Sequence, residues 1–330
     1  MISGFKSIIS IITTILLLVS TMLGFYGTDG TKNEYKTYKN VILMIGDGMG
    51  FNTVEATKSR YDIRELPMET FPVHSQSKTR SASNEVTDSA AGATALSCGV
   101  RTYNNAVGVY AFAPFAKKSN TPKSLTELAK ENGKAAGVVT TDKTSGATPA
   151  SFSAHSFIRQ FEPDISTDQM SSDLDLIWGS KSTTVTKLGC KLGGFKYISS
   201  AKEMNALQPG TRSFAQFDMD SFANVTNDND NPYLADMTKK AIELLNSNEN
   251  GFFLMVEAAH IDKFSHKNIL EGSTAQVIEF NKAIQVAYDF ASRDGDTLVL
   301  VTADHETGGI TYNEETGEYY YTTKSHTGVN

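Results

Sequence analysis

Cysteine is nearly absent from this chain. Cys98 and Cys190 are the only two among 330 residues, which excludes a disulfide scaffold and leaves two free thiols or one bridge. Clustered basic side chains are missing as well. With 30 Lys and Arg against 37 Asp and Glu, a net charge of −7 and no cationic run, broad contact with nucleic acid is excluded, although a small anion can still be attracted locally. The chain also lacks an uninterrupted apolar run of the roughly 20 residues that a bilayer span needs. Near the N-terminus, Lys6 precedes a mainly apolar stretch from Ile8 to Val19 that gives way to small and polar residues. That is the pattern of a cleaved export signal, or of a membrane anchor where it stays uncut. Residues 1–27 are therefore read as a signal peptide, 28–39 as a polar linker and 40–330 as the main domain, exported to a periplasmic, cell-surface or secreted location.

What is present suits a globular protein: 40% hydrophobic and 20% charged residues, without repeats or low-complexity tracts. Short apolar runs at Val41–Ile45, Ala135–Val139, Phe252–Val256 and Leu298–Val301 predict strands buried on both faces. Helical patterns alternate with them at Ser89–Cys98, Ser124–Asn132, Pro232–Asn246 and Thr274–Ala291. In the third, Asn231 is the expected cap and Pro232 the first helical residue, with Leu234, Met237, Ala241, Leu244 and Leu245 on one stripe. The alternation predicts an α/β fold, a mostly parallel sheet with helices on both faces. Residues 160–230, rich in Ser, Asp, Thr, Asn and Gly, read as loops and short elements, with Trp178 as core packing near a turn.

Sites in open α/β sheets form at the carboxyl ends of strands, so the residues directly after each apolar run are informative. The first run leads into Asp47, the third carries Glu257 and leads to Asp262 and His266, and the fourth leads into Asp304 and His305. Carboxylates and imidazoles converging on one edge would repel one another without cations. Mixed imidazole and carboxylate suits zinc, and an oxygen-only set suits magnesium. Asp262 and His266 are four apart and share a face if helical. Ser89, at the start of an Ala-rich helix, is either a nucleophile in the positive end of the helix dipole or an N-cap, a role Asp88 fills equally well.

The strings IGDGMG (45–50), DSAAGATAL (88–96), ATPA (147–150), VEAAHIDKFSH (256–266), TADHETGG (302–309) and SHTG (325–328) occur in the order of the alkaline phosphatase signature blocks, and from about residue 40 onward the chain resembles that family. The resemblance implies two zinc ions and one magnesium. Asp262, His266 and His326 would hold the first zinc, Asp47, Asp304 and His305 the second, and Asp47, Thr148 and Glu257 the magnesium. Ser89 would attack phosphorus and form a phosphoserine, while Arg159 grips two phosphate oxygens and Asp88 orients Arg159. Small phosphate monoesters are the implied substrates, nucleic acid is not a partner, and membrane contact arises only if residues 1–27 stay uncut. Relatives are often homodimers, which makes a dimer the assembly to look for.

Three departures from the family pattern bear on these expectations. Gly146 stands where many bacterial members carry Asp and animal ones His, which touches the surroundings of the magnesium. Only 20 residues separate His305 from His326, so a compact form without the large surface insertion is expected. The chain stops four residues after His326, where relatives continue into a further strand, so a C-terminal truncation is expected, with His326 on a fraying end and its zinc weakly held. Two other readings are a phosphodiesterase or sulfatase of the same superfamily and a non-catalytic phosphate-binding relic. The direct Asp88–Ser89 pair with Arg159 favours the monoesterase.

Overall fold

Seven short segments with apolar, largely β-branched or aromatic cores line up as one sheet, and their order explains where the chemistry collects. The computed structural model describes residues 36–112, 120–218 and 230–328. The chain divides into Met1–Thr37 and Tyr38–Asn330; the fold described is that of the second unit. The expected signal peptide and most of the linker lie outside the described residues, among which no helix is long and apolar enough to cross a membrane.

The strands are β1 (Asn40–Gly46), β2 (Ala135–Lys143), β3 (Leu176–Ser180), β4 (Lys196–Ile198), β5 (Ser213–Phe217), β6 (Phe252–Ala258) and β7 (Thr297–Ala303). They pair in parallel in the order β4-β5-β3-β2-β6-β1-β7. Alternate residues enter two separate apolar clusters. Ile42, Met44, Leu254, Val256, Leu176 and Trp178 face one, and Leu43, Ile45, Phe253, Met255 and Ile177 the other. A sheet that buries both faces needs helices on both, as parallel strands joined by crossovers require.

The helices are α1 (Phe51–Tyr61), α2 (Ser89–Cys98), α3 (Leu125–Glu131), α4 (Ala147–Ser151), α5 (Glu162–Met170), α6 (Lys187–Leu192), α7 (Ala201–Asn205), α8 (Leu234–Leu245), α9 (His260–Ser265) and α10 (Leu270–Asp294). The stripe of α8 is buried as its period demands, with Leu234, Met237, Ala241, Leu244 and Leu245 all in the first cluster. After residue 303 come two small antiparallel pairs, β8 (Glu306–Thr307) with β11 (His326–Thr327), and β9 (Thr311–Asn313) with β10 (Glu318–Tyr320). Between His305 and His326 the chain thus has only these short ladders, as the compact form requires.

Three expectations change, and the alternative left open for the cysteines is decided. Residues 160–230 supply three strands of the sheet, and Trp178 lies within β3, fully buried, its indole N–H donating to Ser213 Oγ at 2.9 Å. β7 is an edge strand, with Leu300 45% exposed, so it is not buried on both faces. Helix α8 starts after Tyr233 because the Asp236 carboxylate accepts the Tyr233 N–H at 3.3 Å, and Asn231 instead donates to the Asp218 carbonyl. Both cysteines are free thiols.

Candidate active site

The register of the parallel sheet brings the strand ends level. Gly46 of β1 is opposite Ala258 of β6 and Ala303 of β7, so Asp47, α9 and Asp304–His305 all begin at the same height. Glu257, one residue lower, faces Ile45 of β1 and Thr140 of β2. The chain leaves β1 through Gly48 at φ +69°, where a side chain would press on Thr307 Oγ1 and the Asp262 backbone, each within 3.0 Å. Glycine is required there both by the positive φ and by the close approach.

Asp88 settles the cap of α2. Its Oδ1 accepts the Ala91 N–H at 3.0 Å and its Oδ2 the Asn105 N–H at 2.9 Å, which leaves Ser89 as the first helical residue, 4% exposed, among the unpaired N–H groups of the helix start. Ser89 Oγ lies 3.1 Å from His305 Nε2. Arg159 Nη1 is 3.5 Å from Asp88 Oδ2.

The imidazoles show how the site is built. His266 Nδ1 lies 2.6 Å from the Lys324 carbonyl and His326 Nδ1 3.1 Å from the Thr87 carbonyl. A carbonyl only accepts, so both Nδ1 atoms carry a proton, and the neutral ring in that tautomer presents its lone pair at Nε2. His305 reaches the same state through Thr307, whose hydroxyl donates to Asp262 Oδ1 at 2.5 Å and can therefore only accept from His305 Nδ1 at 3.2 Å. Three Nε2 lone pairs then converge. His266 and His326 Nε2 are 3.1 Å apart, a separation that needs a proton or a cation between them, and the His305 and His326 rings stack at 3.8 Å. Asp262 Oδ1 sits 3.4 Å from His266 Nε2 and 3.7 Å from His326 Nε2. Pairing of β11 with β8 and the contact with Thr87 tie His326 down, so it does not stand on a fraying end.

The carboxylates are as strongly arranged. Burial, then the charges of Asp304, Asp262 and Glu257, raise Asp47 well above the usual carboxylate range, and Arg159 acts in the opposite sense. Burial raises Asp304 to about 6 and, with the charge of Asp142 next, Glu257 to about 8. Burial also holds His305 neutral, at about 3. Among the described residues, Asp47 Oδ1 and Asp304 Oδ2 are buried without a hydrogen-bond partner. Thr148 is close enough to Glu257 to lower its pKa, yet its Oγ1 makes no hydrogen bond of ordinary geometry. Buried oxygens left open beside converging lone pairs fit cations.

Among the described residues, two groups of side chains bring ligand atoms within 4.8 Å of one another: Asp262, His266 and His326, and Asp47, Asp262 and His305. The first is the set expected for the first zinc. In the second, Asp262 takes the place expected of Asp304, because Asp304 Oδ1 accepts from the Gly48 and His305 N–H groups and only Oδ2 faces His305 Nε2, at 3.3 Å. Glu257 Oε2 accepts from the Thr140 hydroxyl. Sequence reasoning missed Thr140, Asp142 and Thr307, which act through contacts 45 to 121 residues away along the chain. The only signal was that each lies within a few residues of a strand end already suspected. His74, His155 and His260 are not in either ligand group; His155 bonds the Gly108 carbonyl and Glu127, bracing the loop beside Arg159.

A sequence profile described as "Alkaline phosphatase" matches residues 38–177 and 181–328. The chain belongs to the alkaline phosphatase family. It is 36% identical over 299 residues to alkaline phosphatase 3 of Bacillus subtilis, covering 84% of this chain and 63% of that protein. The chain therefore spans under two thirds of that relative's length. Among solved alkaline phosphatases, the enzyme of the Antarctic bacterium TAB5 superposes with a TM-score of 0.77 at 32% identity, covering 88% of this chain and 89% of that one. A point mutant of the TAB5 enzyme, with Mg bound in its M3 site, has a TM-score of 0.74 at 32% identity and the same coverage.

Proposed function

We propose that the chain hydrolyses phosphate monoesters to an alcohol and inorganic phosphate through a phosphoserine at Ser89. The observation that carries this reading is the convergence of three Nε2 lone pairs and open carboxylate oxygens on the N-terminus of the helix that begins with Ser89. Asp262, His266 and His326 would hold one zinc, and Asp47, His305 and Asp304, with Asp262 alongside, the other. Asp47, Thr148 and Glu257 form the oxygen-only set suited to magnesium; the magnesium in the TAB5 mutant supports looking for one here.

When bound, the cations supply Lewis acidity favouring the ionised Ser89 hydroxyl, the departing alkoxide and the ionised form of a water. The residues of the chain do the rest. Ser89 Oγ, its proton lost to solvent, forms a bond to phosphorus as the bond to the ester oxygen breaks in line, and the departing alkoxide takes a proton from water. A water then attacks the phosphoserine from the vacated side, and Ser89 departs with its own proton restored. Arg159, steadied by Asp88, would grip two phosphoryl oxygens with its planar fork. The N–H groups at the start of α2 face the same oxygens with the positive end of the helix dipole. We place this activity outside the cytoplasm, on the pattern of residues 1–27.

The test is zinc and magnesium analysis of the purified chain, with p-nitrophenyl phosphate and bis(p-nitrophenyl) phosphate as alternative substrates, on the wild type and on Ser89→Ala. Faster turnover of the diester points to a phosphodiesterase. Turnover that survives Ser89→Ala removes the nucleophile, and metal-loaded protein without turnover returns the chain to phosphate binding alone.

A further inference from the structure

Behind the oxygen-rich side of the site stands an ion pair with no part in the ligand assignments. Lys263 Nζ donates to Asp142 Oδ1, joining the end of β2 to the helix that carries Asp262. Both side chains are partly buried, at 26% and 17% exposed. The pair is wired to Glu257 through one hydroxyl: Thr140 Oγ1 accepts the Asp142 N–H at 2.8 Å and donates to Glu257 Oε2. After burial, the charge of Asp142 is the largest influence disfavouring an ionised Glu257.

Residue 146 makes room for this carboxylate. Gly146 has φ −57° and ψ 157°, a conformation open to any residue, so backbone freedom is not the reason for glycine. A Cβ there would stand 2.9 Å from Asp142 Cγ and 3.0 Å from the Lys143 carbonyl, where no side chain fits without displacing Asp142. The space left by the absent side chain is filled by a carboxylate from four residues earlier.

We propose that Asp142, admitted by Gly146 and anchored by Lys263, is a positioning residue for the magnesium set, and that the Asp142–Lys263 pair fixes the charge felt by a cation held by Asp47, Thr148 and Glu257. The inference rests on the metal reading of the proposed function. Its sign is specific. Asp142→Asn strips the ammonium of its partner beside a dication, and magnesium binding weakens. Lys263→Met leaves the carboxylate unopposed, and magnesium binding tightens. A pair that merely braced β2 against α9 would weaken binding whichever partner was lost.

The experiment is calorimetric titration of Mg2+ into zinc-loaded wild type, Asp142→Asn, Lys263→Met and Gly146→Ala, with circular dichroism and melting temperature recorded for each. Asp142→Asn and Gly146→Ala are expected to raise the Kd for Mg2+ about tenfold or more, within the range for lost outer partners of metal ligands, and Lys263→Met to lower it. Gly146→Ala carries the test if Asp142→Asn does not fold. Equal Kd values in all four proteins, or weakening in Lys263→Met, overturn the proposal. Wild type that binds no Mg2+ overturns the metal reading itself, a failure visible without any variant.

Discussion

Thr307→Val is the sharpest perturbation the site offers. Thr307 is fully buried, and its hydroxyl holds two ligands at once, donating to Asp262 Oδ1 and accepting from His305 Nδ1. Valine keeps the shape and removes both bonds. A hydrogen bond to a charged group contributes about 1.5–3 kcal/mol, but this one exists without metal too, so its loss lowers the melting temperature of the metal-free protein by a few degrees. What remains for metal affinity is orientation. Without an acceptor at Nδ1, His305 is free to carry its proton on Nε2, the atom that must be bare to bind a cation, and Asp262 is free to rotate. Lost outer partners of this kind cost roughly 10–100-fold in affinity, or about 1.4–2.8 kcal/mol. The assay is zinc titration against a competing chelator on wild type, Thr307→Val and Thr307→Ser. The serine variant, which restores the hydroxyl, should return most of the affinity. Zinc affinity of Thr307→Val within about threefold of wild type would refute the tautomer argument.

Three further outcomes are expected. In metal-free protein the folded-state pKa values of Asp47, Asp304 and Glu257 lie above their ordinary ones, so the native state binds more protons than the unfolded one. Their contribution to stability then falls as pH rises from about 4 to about 8; melting curves across that range should show the decline and saturating zinc and magnesium should reverse it. Arg159→Lys keeps the charge and loses the fork, so kcat/KM for p-nitrophenyl phosphate should drop about tenfold or more, and an unchanged value would exclude a bidentate grip. Glu127→Gln removes the partner of His155. Burial opposes both charges, but the pair outweighs it, raising His155 above 6.5 and lowering Glu127 from 4.5 to about 2. The contribution of Glu127 is complete above about pH 4.5 and that of His155 below about pH 6.5, so the melting-temperature gap to wild type should be widest between these values and shrink on either side.

The elements that carry the chemistry were legible because each strand that ends at the site is a short apolar run with its ligands immediately after it. β1, β6 and α2 read correctly from local pattern alone. The middle of the chain did not. β5 buries Ser213 and Gln216, and Gln216 is accommodated only by reaching Thr144 and Ser182 on other segments, so its polar letters look like loop until those partners are known. The edge position of β7 was equally hidden, since an apolar run does not report how many neighbours it has. Among the site residues, Asp47, Glu257, Asp262 and His305 announce themselves by type, whereas Thr307 and Asp142 acquire their roles only from what folding sets beside them.

The two imidazoles held by main-chain carbonyls have a consequence for how the site tolerates change. His266 and His326 take their orientation from the peptide groups of Lys324 and Thr87, and every amino acid supplies the same carbonyl. The exposed side chain at 324 is thus free to drift so long as the local backbone path is kept, whereas Thr87 is buried and its hydroxyl donates to the Asp88 carbonyl. Misdirecting these ligands takes a change in chain trajectory, such as an insertion or a new proline near either position, and a catalogue of substitutions at 324 would record near-neutrality where the contact suggests dependence.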